Sequence, residues 1–190
     1  MKALVVYAHP NPASFSNGIL KTVVASLEEK GTEVTVRDLY ATNYNPVLSA
    51  QDLAGVYSGN VPKEILDEQA LIAAADSLIF IYPLWWAGFP AILKGWIDRN
   101  LTFGFAYKIS DQGIEGLLKG KKVLSITPHG TPKEYYEPAG MFNSLKQTQD
   151  DGVWAFCGIE ASHLYYAVMN TELSVREEYL KEIKAKVQSL

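Results

Sequence analysis

The sequence of 190 residues is poor in features that define whole classes of protein. It contains one cysteine, Cys157, so no disulfide can form within the chain, and a reducing cytoplasm is the expected location. Seventeen Lys and Arg against twenty-one Asp and Glu give a net charge of −4, which argues against a nucleic-acid binder with a basic face. The three histidines have no metal-ligand spacing with the cysteine or with paired carboxylates. Disulfide-rich domains, nucleic-acid binders and single-metal hydrolases are therefore disfavoured.

Long apolar runs are also missing. The uncharged stretch 77–93 has 17 residues, fewer than the roughly 20 that span a bilayer, and it contains two prolines and a glycine. We interpret it as a buried strand, a loop and the start of a helix. The first ten residues lack the apolar run and cleavage site of a signal peptide. The sequence therefore predicts no membrane insertion.

Two glycine-rich nucleotide motifs are absent as well. The sequence contains neither G-x-x-x-x-G-K-[ST] nor G-x-G-x-x-G. Binding of ATP by a P-loop and of NAD by a Rossmann fingerprint is correspondingly disfavoured.

Short β-rich apolar runs alternate with amphipathic helical patterns, which indicates βαβ units on a parallel sheet. The predicted strands are residues 2–7, 32–39, 77–82, 121–127 and 162–169. Helical spacing of apolar residues fills the intervals, at residues 19–27, 65–73, 92–97, 141–145 and 180–187. We predict one α/β domain over residues 1–190, a doubly wound five-stranded parallel sheet with helices on both faces.

Two local expectations accompany this fold. Residues 40–60 show little periodicity and predict a surface excursion with one helical turn near Ala50. Ser174-x-x-Glu177 has the spacing of a capping box and predicts the start of the last helix.

Ligands of such sheets bind outside the carboxyl ends of the strands, so the loops after Tyr7, Tyr82 and Thr127 are the places to search. The first loop, residues 8–17, leads into a helix whose N-terminal N–H groups favour an anion. Ser14, Ser16 and Asn17 add hydroxyl and amide donors there, which predicts a phosphate site. The alternative is that Ser16 or Asn17 only caps the helix and that His9 is an ordinary loop residue.

The other two loops offer aromatic surfaces. Trp85, Trp86 and Phe89 follow a buried strand and predict flat walls for a planar heteroaromatic ligand, although they could instead be core or dimer contacts. In the third loop Gly130 permits close backbone approach to a ligand. The tyrosines at 135 and 136 could donate hydrogen bonds there or be ordinary surface residues.

These loops also carry a resemblance to a known family. The segments AHPNPASFSN, YPLWWAGFPAILKGWIDRNLTFGFAY and TPHGTPKEYY, with FCGIE further on, resemble the NAD(P)H:quinone oxidoreductases, which are DT-diaphorase-like flavoproteins. The resemblance covers almost the whole chain and implies a flavodoxin-like fold.

The resemblance implies a noncovalent flavin, FMN or FAD. The phosphate would lie on the first loop, at His9, Ser14, Phe15, Ser16 and Asn17. The isoalloxazine would lie along Pro83, Leu84, Trp85, Trp86 and Ala87, with its polar edge at Thr127, Pro128, His129, Gly130 and Tyr135. If this loop is offset by one residue relative to the family's loop, Tyr136 rather than Tyr135 matches the family tyrosine. The chain departs from the family's Thr-Thr-Gly-Gly run at the second and third positions, and the histidine that partners the tyrosine in the animal enzymes has no evident match.

The activity implied is ping-pong two-electron transfer of hydride from NAD(P)H, through flavin N5, to quinones or similar flat acceptors. Tyr135 and His129 are the catalytic candidates, and Trp86, Phe105 and Tyr107 would shape the substrate slot. The family completes this slot across a homodimer interface, for which Phe103, Phe105 and Tyr107 are candidates; an intramolecular core is the equal alternative. Two other functions compete: an ancillary subunit of a potassium efflux system, and a flavodoxin-type one-electron carrier.

Overall fold

A computed structural model describes residues 1–169 and 171–190 of the chain. The strands are β1 (Lys2–Tyr7), β2 (Glu33–Asp38), β3 (Ser77–Ile81), β4 (Tyr107–Ser110), β5 (Gly113–Gly116), β6 (Lys122–His129) and β7 (Glu160–Ala167). The α-helices are α1 (Phe15–Glu29), α2 (Ala50–Ser58), α3 (Lys63–Ala74), α4 (Ala91–Asn100), α5 (Lys133–Tyr136), α6 (Met141–Leu145) and α7 (Leu173–Gln188). A π-helical segment, Lys146–Trp154, continues α6.

The main sheet confirms the predicted fold class. Within the described residues it has five parallel strands in the order β2-β1-β3-β6-β7. The three central strands are almost entirely buried, because helices cover both faces, and this explains their continuous apolar sequences.

Two apolar clusters lie on opposite faces of the sheet. One contains residues of α1 and α7, among them Ile19 and Ile183. The other contains Trp96 of α4 and Trp154 of the π-helical segment, whose ring stacks on Phe80 of β3 at 4.5 Å. The π-helical segment therefore covers the same sheet face as α3 and α4.

The excursion at residues 40–60 contains more structure than predicted. Helix α2 has nine residues rather than one turn, and Ser49 and Asp52 form a reciprocal capping box at its start. The capping box predicted at Ser174 is wrong: α7 begins at Leu173 after Glu172, which makes no side-chain cap hydrogen bond. Spacing alone does not identify a cap, because the chain must also leave the helical conformation at the serine.

Other boundaries also differ from the prediction. Strand β6 continues two residues beyond Thr127, and β7 begins two residues earlier than predicted. The antiparallel hairpin of β4 and β5 and the π-helical segment were not predicted. Over the described residues, no helix combines the length and apolar character needed to cross a membrane.

Candidate active site

The three loops singled out from the sequence meet at the carboxyl end of the sheet. The first loop is attached to β3 by the Ala8 N–H, which donates to the carbonyl of Ile81 at 3.0 Å. The second and third loops are joined directly, since the Leu84 N–H donates to the Pro128 carbonyl at 2.9 Å. A single cleft therefore receives groups from three separate parts of the sequence.

This inner cleft has a volume of about 210 Å³. Its lining includes most of the residues predicted for the cofactor, namely His9, Ser14, Phe15, Ser16, Pro83, Leu84, Trp85, Pro128, His129 and Gly130, together with Val168. Asn17 instead faces a neighbouring cavity beside Asp38 and Tyr40. Thr127 is fully buried beneath the cleft.

One end of the cleft suits an anion. Ser14, not Ser16 or Asn17, is the N-cap of α1, and its hydroxyl accepts a hydrogen bond from the Asn17 N–H at 3.3 Å. The first turn of α1 carries no acidic residue. The unpaired N–H groups and the positive end of the helix dipole therefore face the cleft without a competing negative charge.

An outer cavity of about 860 Å³ adjoins the cleft and shares Leu84, Trp85 and Gly130 with it. Its other lining residues are Trp86, Ala87, Thr131, Pro132, Tyr136 and Met169. The indole of Trp86 is fully exposed, and the ring of Trp85 lies 5.9 Å from that of His9. The two tryptophans thus flank the passage between the outer cavity and the inner cleft.

The tryptophan loop turns through a strained backbone. Trp86 and Ala87 have φ of 50° and 53°, and the Gly88 N–H donates to the Trp85 carbonyl at 3.1 Å. Two successive left-handed residues define a type I′ turn, for which Asn-Gly is the favoured pair. Side chains with a Cβ cost about 1–2 kcal/mol each in this conformation.

We expect Ala87→Gly to stabilise the protein. Glycine relieves the left-handed strain, and after its greater unfolded-state entropy is subtracted the free energy of unfolding should rise by about 0.5–1 kcal/mol. Urea unfolding followed by circular dichroism measures the change. Ala185→Gly, at an exposed position inside α7, is the matched control and should lower the free energy of unfolding by about 1 kcal/mol. Destabilisation by both substitutions would contradict the turn geometry.

His129 lies in the wall of the inner cleft with its side chain buried. Its Nδ1 is 2.8 Å from the carbonyl oxygen of Thr131, which can only accept, so Nδ1 carries the proton of the neutral ring. Burial lowers the pKa of His129, with partial compensation from this hydrogen bond. Burial likewise lowers the pKa of His9, whose Nδ1 accepts from the Asn11 N–H. Both imidazoles are therefore uncharged near neutral pH.

The two candidate tyrosines have different environments. Tyr135 is 71% exposed and lines neither the inner cleft nor the outer cavity. The ring of Tyr136 stacks on His129 at 5.2 Å and lines the outer cavity. The structure thus brings Tyr136, rather than Tyr135, together with His129.

Phe105 and Tyr107 are not brought to Trp86 within one chain. Phe105 packs against the core cluster that contains Trp96. The ring of Tyr107 contacts Phe156 at 5.0 Å and lines a separate cavity of about 170 Å³.

Sequence reasoning missed Arg176 in the first turn of α7. Its guanidinium lies over the ring of Phe15 at 5.8 Å, and its Nη2 donates to the Val168 carbonyl at 2.8 Å. The available signal was topological, because the first turn of a helix that follows a parallel strand lies at the ligand-binding end of the sheet.

The fold and the site together define a class of protein. The five strands of the main sheet, counted along the chain, are arranged in the order 2-1-3-4-5. This order, with a helix N-terminus facing a cleft after the first strand, is typical of flavodoxin-like nucleotide-binding proteins. The sequence matches the family described as having a flavodoxin-like fold over residues 1–190, and the chain belongs to that family.

Comparisons with individual proteins narrow the class. The chain is 40% identical over 161 residues to an "Uncharacterized NAD(P)H oxidoreductase" of Haemophilus influenzae, covering 84% of this chain and 80% of that protein. It is 33% identical over 211 residues to NAD(P)H dehydrogenase (quinone) 1 of Rattus norvegicus, covering 100% and 77%. The solved structure of the NAD(P)H:quinone oxidoreductase from Methanothermobacter marburgensis superposes with a TM-score of 0.90 at 29% identity, covering 99% and 98%. This chain therefore belongs to the NAD(P)H:quinone oxidoreductase family, as its sequence motifs predict.

Proposed function

We propose that this protein is a flavin-dependent NAD(P)H:quinone oxidoreductase. The observation that carries the proposal is the inner cleft, which combines the N-terminus of α1, whose first turn carries no acidic residue, with a wall formed by the indole of Trp85. The same combination of anion site and flat apolar wall is what a flavin phosphate and its isoalloxazine require.

The residues present fit the cofactor. Ser14 and Ser16, with the first N–H groups of α1, would hold the phosphate. Leu84 and Trp85 would lie along the ring, and the Pro128–Gly130 backbone would face its polar edge. A flavin bound there supplies hydride chemistry, in which NAD(P)H is oxidised before a quinone is reduced in a ping-pong sequence.

The protein's own groups would control charge and access. His129 presents Nε2 as an unprotonated nitrogen, which can take up a proton when negative charge develops in the cleft. Tyr136, stacked on that imidazole, is the hydroxyl donor we assign in place of Tyr135. The exposed ring of Trp86 would cover a flat substrate in the outer cavity and keep water from it.

The proposal extends to the cofactor type and the assembly. Arg176 brings a cation to the first loop, where it would bind a second phosphate. FAD has two phosphates and FMN has one, so a second phosphate at Arg176 would distinguish FAD from FMN. Phe105 and Tyr107 can contribute to a substrate slot only from a second copy of the chain, so a homodimer is part of the proposal. The cytoplasmic location predicted from the sequence is also part of the proposal.

An absorbance spectrum of the purified protein tests the function. We expect flavin bands that bleach on anaerobic addition of NADH or NADPH and return on addition of menadione. Chromatography of the heat-released cofactor identifies FMN or FAD. A protein that stays colourless after soaking in either flavin would exclude the proposal, whereas a persistent blue semiquinone would indicate a one-electron carrier instead.

A further inference from the structure

A buried polar cluster lies beneath the proposed flavin cleft and takes no part in the function described so far. It is formed where the π-helical segment packs against β7, and it includes Tyr82 after β3 and Thr127 of β6. Gln149 and Asp150, adjacent residues of that segment, are both buried. Such π-helical turns are rare, and many occur at functional sites.

Gln149 is bound to the residue from which the second loop begins. Tyr82 follows β3 directly and precedes Pro83 of the tryptophan loop. Its hydroxyl donates to Oε1 of Gln149 at 2.7 Å, and both side chains are almost completely buried. This hydrogen bond therefore fixes the start of the second loop to the helical segment.

Asp150 is bound, through a histidine, to Thr127, which lies two residues before the end of β6 and the start of the third loop. His163 of β7 has a side chain that is 3% exposed, and its Nε2 lies 2.6 Å from Oγ1 of Thr127. Its Nδ1 lies 3.4 Å from Oδ1 of Asp150. A neutral ring with its proton on Nδ1 would donate to the carboxylate and accept from the threonine hydroxyl.

The two connections converge above the cluster. The Leu84 N–H of the second loop donates to the Pro128 carbonyl at the end of β6, one residue beyond Thr127 and just before the third loop. Both loops are thus bound to adjacent residues below and to one another at the cleft. Displacing either attachment should loosen the bond between Leu84 and Pro128.

The composition of the cluster argues against a role in stability alone. Burying charged and polar groups is often no more stable than an apolar core of the same shape. Here Gln149 Nε2, Ser125 Oγ and Tyr165 OH have no hydrogen-bond partner among the described residues. A cluster that leaves such atoms unsatisfied is poorly suited to stabilisation, whereas its two satisfied connections both lead to cleft loops.

We propose that Gln149 and Asp150 are positioning residues that hold the second and third loops in the relative placement the flavin cleft requires. Gln149 acts through Tyr82, and Asp150 acts through His163 and Thr127. The inference deepens the proposed function and rests on it for the identity of the ligand.

The experiment uses Gln149→Met and Asp150→Asn in the full chain. Methionine removes the acceptor for Tyr82 at similar volume, and asparagine removes the charge facing His163 without changing shape. Tyr165→Phe is the matched control, since it deletes a hydroxyl of the same cluster that has no partner and keeps the ring stacked on His163 at 3.9 Å.

Two measurements distinguish an effect on the loops from an effect on ligand binding. The first is hydrogen exchange of the Leu84 amide in flavin-free protein, which we expect to become about tenfold faster in each variant and to stay unchanged in the control. The second is the FMN dissociation constant, from flavin fluorescence quenching, which we expect to rise about tenfold in each variant.

Unchanged Leu84 exchange and FMN affinity in Asp150→Asn, or equal changes in Tyr165→Phe, would overturn the inference. If Gln149→Met does not fold, the isosteric Asp150→Asn and its control decide the result alone. Faster Leu84 exchange in a chain that binds neither FMN nor FAD would support the loop-holding role and count against the proposed function instead.

Discussion

Replacing Arg99 by methionine is expected to lower the free energy of unfolding by about 3–5 kcal/mol. Arg99 is 3% exposed in α4, and its Nε donates to Oδ2 of Asp52 at 3.1 Å. Its Nη1 donates to the Asn45 carbonyl at 2.8 Å, and its Nη2 pairs with Glu64. Removing the guanidinium leaves the buried Asp52 carboxylate without its cation. Urea unfolding at pH 7 measures the loss.

The dependence of the free energy of unfolding on pH, in the acid range, gives a second measurement of the contact between Arg99 and Asp52. Burial alone would raise the pKa of Asp52, but hydrogen bonds from Ser49 and Arg99 lower it below the ordinary value of 3.8. The stability that this lowered pKa contributes is fully present above 3.8 and is lost as the pH falls through the lower folded-state pKa. In Arg99→Met that contribution should be largely missing from the dependence of stability on pH.

Lys94→Met is the matched control on the same helix. Lys94 pairs with Asp98 at 2.6 Å, but its side chain is 52% exposed, so the substitution should change the free energy of unfolding by less than about 0.5 kcal/mol. Similar losses in the two variants would show that Arg99 does not hold a buried carboxylate.

The packing of residues 40–60 could not be predicted from their sequence. The asparagines, Pro46 and Asp52 of this segment have the composition of an exposed loop, and nothing near them in sequence provides a cationic partner for the carboxylate. The partner is Arg99, 47 residues after Asp52. Helix α4 approaches so closely that a Cβ on Gly95 would lie 2.1 Å from the carbonyl oxygen of Pro46. Only tertiary packing buries Asp52 within a segment whose other residues are exposed or half-buried.

The central sheet and the cleft could be predicted from the sequence because local patterns determine them. Continuous apolar runs mark β1, β3 and β6, and parallel strands bring their following loops to one edge. His9, Ser14, Trp85 and His129 were therefore placed together correctly. The connection of Thr127 to Asp150 could not be found in this way, because it passes through His163 on the edge strand and depends on a π-helical turn that no periodicity indicates.

The second large effect concerns the anion end of the cleft. Ser14→Asp should weaken FMN binding roughly a hundredfold while leaving the fold intact. Aspartate caps a helix as well as serine does, so α1 keeps its N-terminus. Its charge would, however, face the bound phosphate at the cleft wall. Like charges about 5 Å apart at an effective dielectric constant near 20 repel by about 3 kcal/mol, which corresponds to that loss.

Riboflavin and Ser14→Asn identify the cause of this loss. Riboflavin has no phosphate, so its affinity should be nearly the same in wild type and in Ser14→Asp. Asparagine is an equally good cap without charge, so Ser14→Asn loses the serine hydroxyl alone and should bind FMN much more tightly than Ser14→Asp. Fluorescence titrations measure the five affinities, two for riboflavin and three for FMN, and urea unfolding checks the fold. Equal weakening of riboflavin and FMN would place the phosphate elsewhere, because a charge at the α1 N-terminus can discriminate between them only if the phosphate lies there.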